Sequence, residues 1–393
     1  MEIIKEIQET MERSVANSEV MGVNLLVKKN GEEVCYLESG MANREQGRKM
    51  SRDTIFKLYS QTKPVTAAAA MILMERGKLD LCQSVSDYLP SFTNMKVLEN
   101  GICKTAERPI RVLDLLRMTS GLVYPNETDL AGVSTGKVFD ELCDRLDNDN
   151  AMTTQQVADA LAGTVLSFEP GSSWQYGSSA DVLAAVIEIV SGMSFPEFLQ
   201  TEIFVPLQMV DTDFWVPEEK QHRLAATYET MADKNSGYKM ELYTGNNLGI
   251  RNDMAKEPAF ASGGAGLVST LDDYMKFASM LLKNGELNGV RILKPTTVSY
   301  LTSGKLMPLQ QAVFDSTNWL DGFTYQNLMR VCINPEQTGY IAREGEYGWD
   351  GWLGAYFANF PKEQMTILMG TQKKDAGTFA LTRKLRNIIL STL

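Results

Sequence analysis

The chain has 393 residues, of which 44% are hydrophobic. That is ample material for a core and excludes an intrinsically disordered chain. With 38 Lys and Arg against 49 Asp and Glu the net charge is −11, and no basic run interrupts it. Such a chain has little to set against a phosphate backbone or an anionic lipid surface, so neither nucleic acid nor membrane is expected as a partner.

The N-terminal stretch MEIIKEIQETMERSV spaces Ile3, Ile4, Ile7, Met11 and Val15 at helical intervals with charges between. This predicts an amphipathic helix rather than the apolar block of a secretory signal, and a cytoplasmic protein is expected. VNLLVKKNGEEVCYLESG follows, two strand-like runs around Asn30-Gly31, the pair that a type I′ hairpin turn prefers. Next comes TIFKLYSQTKPVTAAAAMILMERG. From Val65 to Met74 almost every side chain is apolar, which predicts a helix buried on all sides, and Gly77 is a plausible stop. At ten residues the run is too short to span a bilayer.

From about residue 80 to 250 the pattern is mainly helical, with VLDLLRMTSG, TTQQVADALAG, ADVLAAVIEIVSG and FPEFLQTEIF the clearest pieces. GGAGLVST then leads into the amphipathic LDDYMKFASMLLKNG. The tail reads as strands in LMRVCIN, WLGAYFANFP and MTILMGTQ, and ends in the helical TFALTRKLRNIILSTL. Strands early and late with helices between predict an α+β fold, one antiparallel sheet built from both chain ends and flanked by helices. The expected division is a sheet domain of residues 1–80 and 250–393, a mainly helical insertion of residues 81–249, and an active site at their boundary.

The five cysteines, Cys35, Cys82, Cys103, Cys143 and Cys332, form no CxxC pair and are odd in number. Reduced thiols are expected, with no disulfide framework and no zinc site.

Three Ser-x-x-Lys pairs occur: Ser60/Lys63, Ser134/Lys137 and Ser236/Lys239. On a helix the two residues share a face, so the amine can take the hydroxyl's proton if burial lowers its pKa. Ordinary Ser and Lys usage yields roughly one or two such pairs by chance in a chain of this length, so context must decide. Ser134 and Ser236 lie in polar stretches where the lysine would stay solvated. Ser60 directly precedes the all-apolar helix, and Pro64 suits that helix's first turn. A helix N-terminus also favours developing negative charge on a serine. Against this stands a serine that merely caps a helix, followed by a surface lysine.

Gly132-Val133-Ser134-Thr135-Gly136 also matches GxSxG, the elbow of α/β-hydrolases. That elbow needs a strong strand before it and a histidine elsewhere. The preceding YPNETDLA is a poor strand. The only histidine, His222, sits in the charged PEEKQHRLA and reads as a surface residue. An acyl-transfer enzyme with this sequence would use another base, and Ser-Lys is the known alternative.

The segment SQTKPVTAAAAMILMERGKLDLCQSVSDYLPSF is similar to the stretch around the nucleophile of class C β-lactamase-related serine hydrolases. IRVLDLLRMTSGL, EPGSSWQYGSSADVLAAVIEIVSG and GGAGLVSTLDDYMKFASMLLKNGELNGVRIL resemble later segments of that superfamily, in order, from roughly residue 20 to 370. The resemblance implies the following roles. Ser60 attacks a carbonyl and is acylated. Lys63 and Tyr176 share the proton transfers, with coupled titrations. The backbone N–H groups of Ser60 and Trp352 form the oxyanion hole, and Tyr124 sits near the cleft mouth. No metal or cofactor is implied, and oligomeric state is not indicated.

Two departures bear on substrate. The superfamily's Tyr-x-Asn reads Tyr176-Gly177-Ser178, so a hydroxyl replaces the amide. The third motif, Lys-Thr-Gly or His-x-Gly, reads Trp349-Asp350-Gly351. Tryptophan offers no cation for a carboxylate, and Asp350 is expected to repel one. Ser178, Trp349, Asp350, Gly351 and Tyr124 are therefore the expected substrate-binding residues. Neutral esters (family VIII carboxylesterase or acyltransferase chemistry) are favoured over penicillins, and the expected partner is a small-molecule ester or amide substrate. A β-lactamase or D-amino-acid peptidase is the nearest alternative, and a non-catalytic penicillin-binding-like protein is the alternative of another class.

Overall fold

A computed structural model describes residues 2–99, 101–233, 237–317, 320–377 and 379–393. Ser236 of the third Ser-x-x-Lys pair lies outside the described residues.

The amphipathic N-terminal segment forms α1 (Glu2–Ala16). It leads into β1 (Gly22–Lys29) and β2 (Glu32–Asn43). The turn between them holds Asn30 at φ 53° and Gly31 at φ 84°, both in the left-handed region that a type I′ turn requires. A short β3 (Arg48–Lys49) completes the N-terminal share of the sheet. The C-terminal share comprises β4 (Phe323–Gln326), β5 (Met329–Cys332), β6 (Tyr347–Asp350), β7 (Tyr356–Phe360) and β8 (Met365–Gly370). The order across the sheet is β4-β5-β6-β7-β8-β1-β2-β3, antiparallel throughout. The two chain ends meet where β8 pairs with β1, Leu26 opposite Leu368. The sequence reading anticipated β5, β7 and β8 but not β4 or β6.

Alternation along the strands divides the sheet into two faces. One face sends Val23, Leu25, Val27, Tyr356, Ala358 and Ile367 against α1 and the C-terminal helix α6 (Ala380–Thr392). The other sends Leu26, Trp349, Phe357 and Leu368 into the main core. There they meet α2 (Lys63–Glu75), α4 (Ser179–Ser191) and α5 (Leu271–Leu282). Every residue of α2 from Lys63 to Leu73 is buried, as the largely apolar run from Val65 onward requires.

The stretch from 81 to 249 contains α3 (Leu130–Arg145), α4 and shorter helices. It also carries strand pairs at Lys96–Glu99 with Ile102–Thr105 and at Thr227–Asp233 with Gly237–Tyr243. Helix α3 was not anticipated: Gly132, Ser134, Thr135 and Gly136 are poor helix formers. It begins at an N-cap, Asp129 accepting from the Gly132 N–H, and is held by buried Ala131, Phe139 and Leu142. Among the described residues no single helix is long and apolar enough to cross a membrane.

Candidate active site

Ser60 lies in a single 3₁₀ turn, Tyr59–Thr62, that runs straight into α2. Pro64 occupies the first turn of α2, where a missing N–H costs nothing. The residue before the serine, Tyr59, has φ 45°. A bulky side chain in that region stores roughly 1–3 kcal/mol of strain, which persists only where the surroundings over-determine it. Here the Tyr59 ring is buried edge-on against Trp352, with centroids 4.9 Å apart.

One helical turn on, Lys63 is fully buried. Its Nζ donates to Ser60 Oγ (3.2 Å), to Tyr124 Oη (3.0 Å) and to the Gly264 carbonyl (2.8 Å). The ring of Tyr176 faces the same nitrogen, its centroid 4.7 Å away. Tyr176 Oη accepts from Trp349 Nε1 at 2.9 Å. Four aromatic rings then run on from one another, with centroid spacings of 6.4 Å (Phe139–Tyr124), 5.6 Å (Tyr124–Tyr176) and 5.5 Å (Tyr176–Trp349). They line a cleft of about 970 Å³ together with Ser60, Leu248, Gly351 and Trp352.

Behind Lys63 lies a carboxylate that the sequence reading missed. Asp181 of α4 is buried and accepts from Ser262 Oγ (2.5 Å) and from the Gly264 N–H (3.0 Å). Burial lifts its carboxyl above the usual range, opposed by the Ser262 hydroxyl and by the charge of Lys63. Gly264 passes close to both groups: a Cβ on it would stand 2.8 Å from Tyr124 Oη and 3.0 Å from Asp181 Oδ2. The Tyr124 phenol is pushed well above its ordinary pKa, first by burial and then by Asp181, so it stays protonated. An acid directly before the apolar run VLAAVI was the available signal for Asp181.

Three expectations are corrected. Tyr124 is not confined to the cleft mouth; its hydroxyl touches the lysine at the floor. Ser178 does not reach the cleft: it is fully buried at the start of α4 and its hydroxyl donates to the Val123 carbonyl at 3.4 Å. Asp350 borders the cleft, but its carboxylate is not directed there as a free charge. Strand alternation turns Trp349 toward Tyr176 and Asp350 toward the opposite face, where Arg330 Nη1 donates to it at 2.7 Å.

The competing serine is elsewhere. Ser134 sits within α3, not at a strand–helix elbow; its hydroxyl donates to the Ala131 carbonyl (2.8 Å) and accepts from the Val165 N–H (3.2 Å). Lys137 and His222 are exposed.

The model of the family described as Beta-lactamase matches residues 7–390. The chain belongs to the β-lactamase family. It is thereby a β-lactamase-related serine hydrolase. It is 32% identical over 282 residues to Esterase EstB of Burkholderia gladioli, covering 70% of this chain and 68% of that one. It is 29% identical over 331 residues to Protein Rv1367c of Mycobacterium tuberculosis, covering 81% and 77%. Among solved structures it resembles "EstCE1, a hydrolase with promiscuous acyltransferase activity", with a TM-score of 0.80, 24% identity and 98% of each chain covered.

Proposed function

We propose that the protein cleaves neutral carboxylic esters, or transfers their acyl group to another alcohol, through an acyl-enzyme on Ser60. The observation that carries this reading is the Lys63–Ser60 hydrogen bond of 3.2 Å at the floor of an aromatic-lined cleft. One member of the Lys63–Tyr176 pair enters the step deprotonated, and the Ser60 proton passes to it as Oγ bonds to the ester carbonyl carbon. The carbonyl oxygen becomes an oxyanion, stabilised by the N–H groups of Ser60 and Trp352. The C–O bond then breaks, and the pair returns the proton to the departing alcohol. Water, or a second alcohol, repeats the sequence to release the acyl group and free Ser60. The cleft lies between the sheet-bearing chain ends and the helical stretch 81–249, which we take as its two domains.

Neutral substrates are supported by the lining. Trp349 presents apolar surface and an indole N–H already given to Tyr176. The name of Esterase EstB supports ester cleavage itself. The Asp350 charge is paired with Arg330 and plays no part in this preference.

The test is a panel of p-nitrophenyl esters of increasing chain length, run beside a chromogenic cephalosporin. Turnover of short neutral esters far above the cephalosporin is expected. Comparable cephalosporin hydrolysis would instead favour the β-lactamase or peptidase alternative. A stoichiometric burst without turnover would identify a binding protein.

A further inference from the structure

The third motif carries an aspartate that the chemistry at Ser60 does not need. Asp350 ends β6, and its side chain is 12% exposed; Arg330 on β5 is 3% exposed. Arg330 holds more than this carboxylate. Its Nη1 donates to Asp350 at 2.7 Å, its Nη2 donates to the Phe357 carbonyl of β7 at 3.1 Å, and its guanidinium stacks 5.0 Å from the Tyr356 ring. One side chain thereby joins β5, β6 and β7 from the far side of the sheet. A buried ion pair gains little net stability over an apolar pair of similar volume, because desolvation offsets the attraction. Holding the fold together is therefore a poor reason for it; fixing one geometry is a better one.

The geometry in question adjoins the nucleophile. Immediately after Asp350, Gly351 passes so close to the chain entering Ser60 that a Cβ on it would lie 2.2 Å from the Leu58 carbonyl. The Gly351 N–H donates to the Ala355 carbonyl at 2.7 Å, closing a tight turn. Trp352 then packs against Tyr59. Any slack at the end of β6 shifts the Trp352 N–H relative to Ser60.

We propose that Arg330 and Asp350 are a positioning pair, which sets the oxyanion-binding N–H of Trp352 from the opposite face of the sheet. This rests on the esterase reading and deepens it. An oxyanion donor acts in the transition state, so a misplaced one lowers kcat and leaves KM nearly unchanged.

The test replaces the pair by apolar residues in Arg330→Met/Asp350→Leu, so that no unpaired charge remains buried. Arg330→Lys, which keeps the charge but not the planar fork, is the second variant. Melting temperature, kcat and KM for p-nitrophenyl butyrate are measured for both and for the unmodified protein. The expected result for the double variant is a melting temperature close to that of the unmodified protein, kcat lower by roughly tenfold or more, and KM within about twofold. Arg330→Lys should fall between, with the same split. Unchanged kcat in the folded double variant, or in Arg330→Lys should the double variant not fold, would overturn the proposal. So would kcat and KM falling away together. Absence of ester turnover by the unmodified protein would instead bring down the esterase reading on which the pair's role depends.

Discussion

Ser60/Lys63 and Ser134/Lys137 are the same four-residue pattern placed in two environments. Lys63 is fully buried, and its three hydrogen bonds include one to Ser60 itself. Lys137 lies in solvent, and the Ser134 hydroxyl is occupied by two backbone groups, Ala131 and Val165. A serine whose hydroxyl is spoken for by the backbone has no proton acceptor at hand. The pattern acquires chemical meaning from what surrounds the lysine.

The largest effect should separate these two serines. Ser60→Ala is expected to lower kcat for a p-nitrophenyl ester by roughly 10⁴-fold or more, the loss typical of removing a nucleophilic serine. Ser134→Ala and His222→Ala should stay within about twofold. Full activity in Ser60→Ala, with loss in Ser134→Ala, would reverse the comparison. Tyr176→Phe removes the hydroxyl bonded to Trp349 but keeps the ring over Lys63. A loss of about 10²-fold or more in kcat is expected if that oxygen handles a proton. Tyr124→Phe should cost less, roughly tenfold, because it removes one of three partners of Lys63 and no proton carrier. Equal losses in both phenylalanine variants would mean that Tyr124 shares the proton transfer.

Lys57 sharpens the same contrast, for it is buried and also three residues from Ser60. Its Nζ donates to the Ala225 (3.2 Å) and Asn252 (3.1 Å) carbonyls, not to the serine. Burial depresses its pKa from 10.5 to about 7. Between those values the unfolded chain holds more protons than the native one at this site, so its contribution rises with pH. That contribution is complete above about pH 10.5 and lost as pH falls through about 7. Denaturant unfolding of Lys57→Met and of the unmodified protein should therefore differ most in favour of the variant near pH 6. The difference should shrink as pH rises toward 10. A pH-independent difference would contradict the depressed pKa. The effect is on stability, and kcat should change little.

The Ser60–Lys63 pair was legible because its decisive neighbours are contiguous: an all-apolar helix follows the serine, and its burial carries Lys63 inside. The sheet built from both chain ends was legible for the same reason, since β1, β2, β7 and β8 announce themselves by apolar runs. Much of the rest depends on contacts between distant segments. Tyr124 meets Lys63 across 61 positions, and Gly264 meets it across 201. No local pattern encodes either meeting. Asp350 was read as facing the cleft because β6 is four residues long and was not recognised as a strand, so its alternation went unused. Ser178 was assigned to substrate on motif position alone, whereas the start of α4 buries it.

The central claim is that an acyl group passes through Ser60. Peptide mass spectrometry of enzyme quenched in acid during turnover of p-nitrophenyl butyrate tests it most directly. A butyryl group on the peptide containing Ser60, absent from Ser60→Ala, is the predicted result. Butyryl on the peptide containing Ser134, or turnover that leaves no serine acylated at any quench time, would contradict it.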